Sequence, residues 1–141
     1  MTNRKARHHF EILQRCEAGI ALRGTEVKSA RAGHVSLDEG FARCRDGEVW
    51  LYGVHIKPYA QAAIHNHEPL RPRKLLLHRR QIRLLEDHAD QQGCTLIPLA
   101  FYFKRGYAKV ELGLARGKRD FDKREAIKKR EQQREMARIK R

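Results

Sequence analysis

The chain has 141 residues and a formal net charge of +14, from 31 Lys and Arg against 17 Asp and Glu. That length supports one ordinary hydrophobic core plus an appendage, and charge of this sign favours a polyanionic partner, nucleic acid before lipid. No apolar run approaches the ~18 residues of a membrane span, no charged-then-apolar leader opens the chain, and Cys16, Cys44 and Cys94 are odd in number, far apart and without a C-x-x-C pair. A cytoplasmic protein with reduced thiols, no disulfide framework and no membrane partner is therefore expected.

Asn3 to Arg7 (NRKAR) is a short basic arm followed by His8 and His9. From Phe10 the apolar residues fall on even positions as far as Leu22, the period of a long half-buried strand, and Gly19 is the expected bulge or bend. Gly24 interrupts the pattern and Thr25 can cap a two-turn helix over Glu26 to Ala32, closed by Gly33. Val27 and Ala30 should face inward, leaving Glu26, Lys28, Ser29 and Arg31 to solvent or a ligand. Val35 and Leu37 lead to a turn at Asp38-Glu39-Gly40. A strand then runs from Phe41 to Arg45, and Asp46-Gly47 is a strong hairpin signal. The returning strand, Glu48 to Ile56, is apolar on both faces and should lie centrally.

Lys57 to Arg73 has no sustained periodicity and holds three of the four prolines, which marks a functional or mobile loop. Leu75, Leu76 and Leu77 follow; three successive leucines cannot all be buried by one helical stripe or one strand face, so at least one should be exposed. From His78 the spacing of Ile82, Leu85 and Ala89 predicts an amphipathic helix ending at Gly93. Thr95 to Phe103 is a strand with Pro98 at a bulge or edge. Lys104-Arg105-Gly106 turns it into Tyr107 to Leu114, with Ala108, Val110, Leu112 and Leu114 pointing in and Lys109 and Glu111 out. Five main strands with the principal helix between the third and fourth is the order of a small, mainly β, oligonucleotide-binding (OB-like) closed barrel carrying two to three helices. An open α+β sheet is the competing architecture.

The domain is expected to span residues 1–114, and a basic tail residues 115–141. Arg116 to Arg141 carries 12 Lys and Arg against 5 Asp and Glu, half of the chain's net charge, and has no apolar residue between Ile127 and Met136. With no stripe to dock on a core but many helix-forming residues, it reads as a tail that is unfolded alone and becomes helical on a polyanion. A merely solubilising charged tail is the alternative.

Catalytic patterns are missing from the sequence: phosphate loops, dinucleotide-binding glycines and H-E-x-x-H do not occur. His65-x-His67 with Glu68 lacks two further metal ligands at a known spacing, and nothing pairs Glu17 or Glu26 for acid/base work. No cofactor, no metal and no enzymatic activity are expected. Basic residues interleaved with aromatics (Tyr52, Tyr59, Tyr107, Phe121) instead suit phosphate contact and base stacking. RNA is favoured over DNA because no element reads as a recognition helix for the major groove.

Gly24-Thr-Glu-Val-Lys-Ser-Ala-Arg-Ala-Gly33, Arg73-Lys-Leu-Leu-Leu-His78, Glu111-Leu-Gly-Leu-Ala-Arg-Gly-Lys118 and Asp122-Lys-Arg124, with Asn3-Arg-Lys-Ala-Arg-His8 and Glu17-Ala-Gly19, span the chain nearly end to end. Together they closely resemble the SsrA-binding (small protein B) family. The resemblance implies an RNA-binding adaptor of bacterial trans-translation, monomeric and without catalysis, that binds the tRNA-like domain of transfer-messenger RNA and delivers it to stalled ribosomes. It implies contact of the barrel with that domain through Glu17, Leu76 and Lys109, and these join the residues already expected to form an RNA face, Asn3, Arg4, Arg7, Glu26, Lys28, Arg31 and Lys74. It places the tail at the decoding centre and vacant messenger channel of the small ribosomal subunit, through Lys118, Arg119, Phe121, Asp122, Lys123, Arg124, Lys128, Lys129 and Arg130. Phe121 would there stack on a ribosomal base. A basic ribosomal or ribosome-associated structural protein is the competing function.

Overall fold

The computed structural model describes residues 1–62, 65–89 and 93–117. These form helices α1 (Arg4–His9), α2 (Gly24–Arg31) and α3 (Arg79–Ala89). The strands are β1 (Phe10–Ile20), β2 (Val35–Ser36), β3 (Phe41–Arg45), β4 (Glu48–Tyr52), β5 (His55–Ile56), β6 (Arg73–Leu76), β7 (Cys94–Lys104) and β8 (Tyr107–Gly117). Six strands close a barrel in the order β1-β6-β4-β3-β7-β8, every pairing antiparallel, while β2 and β5 form a separate ribbon. The expected OB-like barrel is present, with one strand more than the five foreseen.

That extra strand is β6. Its four residues lie inside what reads as a loop and a helix lead-in, too short for a period-two signal. In the barrel it pairs with β4 on one edge and with β1 on the other. Strand alternation then settles the leucine run: Leu75 is buried and Leu76 is 54% exposed. Gly19 lies where β1 changes partner, opposite Lys109 of β8 and Leu76 of β6. A Cβ there would sit 3.2 Å from Leu76 Cβ, so the glycine permits close approach of β6.

The bulge in β1 is not at Gly19 but at Leu13, where the register passes from Ile12–Ala115 to Gln14–Leu114. One extra residue reverses which parity faces the interior. Cys16, Ala18 and Ile20 consequently join the barrel core, whereas Phe10 and Ile12 pack outside it with Ala6, Ile97, Leu99 and Ala115. A second bulge at Leu99, beside Pro98 as foreseen, does the same to β7: Leu96 and Phe101 face in, Ile97 and Leu99 out. The Asp46-Gly47 turn has the expected positive φ at both residues, 52° and 75°.

The outer cluster explains the N-terminus. Asn3 is the N-cap of α1, its Oδ1 accepting from the Ala6 N–H at 3.2 Å. Its Nδ2 donates to the carbonyls of Leu37 (3.1 Å) and Pro98 (2.9 Å). Asn3 is thus buried as a clip between the helix and the second bulge and is not presented to a ligand, a correction to its expected place on the RNA face.

Glu26 is likewise corrected: its side chain is fully buried, not outward. Oε1 accepts from the Arg23 backbone N–H at 2.8 Å and from Arg71 Nη2 at 2.5 Å, and Oε2 from Arg73 Nε. Arg73, also buried, donates onward to the carbonyls of Val54 (2.7 Å) and Pro69 (3.0 Å). The pair therefore pins α2, β6 and the 57–72 loop together. Thr25, expected to cap α2, instead hydrogen-bonds His67 Nδ1 at 2.8 Å, and His67 Nε2 meets the Ile56 carbonyl at 2.8 Å. Among the described residues no cluster of His, Cys, Asp or Glu could hold a metal ion.

β8 continues through Gly117, three residues past the expected boundary at Leu114, with Ala115 buried in the outer cluster. The tail residues Lys118, Arg119, Phe121, Asp122, Lys123, Arg124, Lys128, Lys129 and Arg130 lie outside the described residues.

Burial alone would raise the Glu26 carboxyl, but the hydrogen bonds from Arg71, the Arg23 backbone and Arg73 outweigh it and hold the group below its ordinary value. A depressed folded-state pKa contributes stability that is present above the unfolded-state value, about 4.3 for glutamate, and is lost as pH falls through the folded-state value. Glu26→Gln should remove about 3 kcal/mol or more at neutral pH by leaving the buried Arg73 uncompensated. It should also flatten the acid limb of the stability profile below about pH 4. Urea melts of both proteins across pH measure both effects.

Candidate nucleic-acid interface

Three strands far apart in sequence meet at the middle of β1. Glu17 on β1, Leu76 on β6 and Lys109 on β8 line one open groove of about 980 Å³, together with Arg15, Gly19, Leu77, Gln81 and the β7–β8 hairpin residues Lys104, Arg105 and Tyr107. Lys109 points outward because Ala108 and Val110 turn towards the core. Leu76 is presented because Leu75 occupies the interior, and Tyr107 at the hairpin end is 73% exposed. Apolar Leu76 and Tyr107 thus sit among cations, suited to a nucleic-acid surface that offers sugar and base faces beside phosphates.

The acidic component is organised. Glu17 and Glu111 are direct cross-strand partners, an arrangement that is unfavourable for like charges. Each is met by a cation: Lys104 Nζ lies 3.3 Å from Glu17 Oε2, and Arg15 Nη1 lies 3.3 Å from Glu111 Oε1. Burial, then the charges of Glu17 and Glu111, then a hydrogen bond to Glu17 push the Tyr102 hydroxyl up, so it stays protonated beside Glu17. Burial pushes the Cys16 thiol up as well. Lys109 makes no ion pair with any described residue, so its charge is available to phosphate.

The other expected contact residues are dispersed. Arg31 reaches the groove's edge from α2: its guanidinium covers the Phe103 ring at 4.6 Å and its Nη2 is 3.5 Å from the Gly106 carbonyl. Lys28 lies over Tyr59, 5.4 Å from the ring centre. Lys74, two residues from Leu76 on β6, pairs with Glu48 at 3.0 Å. Arg4 and Arg7 are exposed on α1, which packs by the Phe10 end of β1. Glu17 is seven residues further along that strand, roughly 23 Å away. Arg15, Lys104 and Arg105 were missed by sequence reasoning; the basic Lys104-Arg105-Gly106 turn was the available signal.

Comparison with known proteins shows the family of the chain. The family model described as SmpB protein matches residues 1–141. An SsrA-binding protein of Streptococcus pneumoniae (strain P1031) is 56% identical over 137 residues, covering 97% of this chain and 88% of its own length. Another, of Carboxydothermus hydrogenoformans, is 57% identical over 134 residues, covering 95% and 90%. A chain of a solved structure described as "tmRNA-SmpB: a journey to the center of the bacterial ribosome" superposes with a TM-score of 0.72 at 55% identity, over 84% of this chain and 83% of that one. Matched by the family model from end to end, and more than half identical to these relatives, the chain belongs to the SmpB family of SsrA-binding proteins.

Proposed function

We propose that the chain is the RNA-binding adaptor of trans-translation. It binds transfer-messenger RNA through the tRNA-like domain and brings it to stalled ribosomes, where the nascent peptide is tagged and the ribosome released. The observation that carries the assignment of the barrel's RNA face is the meeting of Glu17, Leu76 and Lys109 in one groove. Lys109, with Arg105 and Arg31 nearby, attracts phosphate. Leu76 and Tyr107 supply apolar contact with ribose and base faces. A carboxylate repels phosphate, so Glu17 acts by accepting hydrogen bonds from ribose hydroxyls or base N–H groups while Tyr102 and Lys104 hold it in place.

The protein works by binding alone, without cofactor or metal. It acts as a monomer in the cytoplasm, where stalled ribosomes are found. The tail, from Lys118 through Phe121, Asp122, Lys123 and Arg124 to Lys128, Lys129 and Arg130, serves the second partner. It occupies the decoding centre and vacant messenger channel of the small subunit and becomes helical there.

Two measurements test this division. Binding of the isolated tRNA-like domain, titrated across salt, should weaken in Lys109→Ala with the logarithmic salt slope reduced by about one. Leu76→Ala should weaken binding with that slope unchanged, because an apolar contact releases no counterion. Identical slopes for both variants would remove Lys109 from the phosphate contacts. Ending the chain after Gly117, which spares Ala115 and the whole of β8, should leave this binding within about twofold of the full chain. The same truncation should abolish tagging in a reconstituted stalled-ribosome assay.

A further inference from the structure

Two cysteines distant in sequence are brought together where the barrel closes between β3 and β7. Among the described residues this seam is the thinnest of the ring: the strands pair at one position, Ala42 opposite Leu96, and every other neighbouring pair has two or more. Neither strand carries a bulge beside that position. The β3–β4 register runs unbroken from Phe41 to Arg45, and the β7–β8 register from Cys94 to Pro98. Carried two residues along, the antiparallel register of β3 with β7 sets Cys44 opposite Cys94.

The side chains agree with this placement. Ala42 and Leu96 are buried in the barrel core, and Cys44 and Cys94, each two residues away on the same face, pack against that same core. Residues opposite one another in an antiparallel pair lie about 4.5 to 5.5 Å apart at Cα, inside the range of about 4.4 to 6.8 Å that a disulfide spans. Both cysteines are half-buried thiols in the structure. Cys44 also borders a shallow surface concavity of about 420 Å³, shared with Phe41, Arg43, Arg45 and Tyr52. A small reagent thus has a route to the pair, and the two arginines attract one that carries carboxylates. Cys16 is placed differently: β1 borders β6 and β8, so it lies opposite neither thiol.

We propose that Cys44 and Cys94 are a redox-responsive pair, which a small-molecule disulfide such as oxidised glutathione converts to a cross-strand disulfide that fastens the β3–β7 seam. One cysteine thiolate attacks a sulfur of the small disulfide and expels a thiol, leaving a mixed disulfide. The other cysteine thiolate then attacks the protein sulfur of that mixed bond and expels the second thiol. Two protein thiols give up two protons and two electrons; the small disulfide takes up both and leaves as two thiols. The new bond adds no atom to the core. In a reducing cytoplasm the pair rests as thiols and closes under oxidative load.

The full chain is incubated with oxidised glutathione, quenched with acid and mapped by mass spectrometry after alkylation. The folded chain should yield a monomer in which Cys44 is joined to Cys94 and Cys16 alone is alkylated, and dithiothreitol should reverse it. In urea the same treatment should scramble the three possible pairings. Thermal melting of the oxidised monomer should rise by about 10 °C over the reduced one, since the bond closes a long loop. Cys94→Ala and Cys44→Ser, either of which serves if the other does not fold, should show neither the link nor the rise. Glutathione adducts or chain-to-chain links in place of the internal bond, pairings with Cys16 as frequent in the folded chain as in urea, or a melting temperature unchanged or lowered by the link would each overturn the proposal.

Discussion

The buried contact between Glu26 and Arg73 decides where β6 lies, and much of the rest depends on β6. This strand is only four residues long and has no hydrophobic period of its own, yet it occupies the gap between β1 and β4 and so converts an open sheet into a barrel. A strand this short gains little from its own ladder. It is positioned by a fully desolvated guanidinium that bonds the Glu26 carboxylate and two loop carbonyls. Such a pair adds modest net stability, since desolvation offsets most of its attraction. Its contribution is geometric: any other placement of β6 strands a charge without partners. Leu76 owes its position at the groove to this constraint.

The second organising device is the pair of one-residue bulges at Leu13 and Leu99. Each turns one strand's apolar set from the inner to the outer surface part-way along its length. Two strands of 11 residues can thereby serve two cores, one inside the barrel and one beneath α1. The outer core anchors the N-terminal segment, which Asn3 fastens to the Leu37 and Pro98 carbonyls. At Gly113, where a Cβ would meet Leu99 Cδ1 at 2.8 Å, and at Gly19, beneath Leu76, side chains from a neighbouring strand cross close over backbone.

Function follows from the uneven disposition of charge on this frame. Several cations are committed to carboxylates: Arg71 and Arg73 to Glu26, Lys74 to Glu48, Lys104 to Glu17 and Arg15 to Glu111. A net charge of +14 therefore does not spread as a uniform positive coat. Lys109 at the groove stands without such a partner among the described residues, near exposed Leu76 and Tyr107. That combination, an available cation beside a flat or apolar surface, distinguishes an RNA contact from a merely soluble one.

Much of this protein was determined by its sequence alone. Alternation along the longer strands, Asp46-Gly47, Pro98 and the amphipathic stretch from His78 are local signals, and local physics produces the elements they announce. The exposure of one leucine in the 75–77 run also followed, because no single face can bury three neighbours. The family motifs, spread along the whole chain, identified its relatives and pointed to Glu17, Leu76 and Lys109. What only the tertiary structure decided depends on contacts between distant residues. Glu26 and Asn3 read as surface groups because their neighbours are polar, but their partners lie 47 and 95 positions away at Arg73 and Pro98. The even-numbered apolar series from Phe10 to Ile20 read as one face, and a bulge visible only in the register with β8 divided it in two. Periodicity records which residues avoid water; which surface shelters them is settled by the strand that arrives to pair.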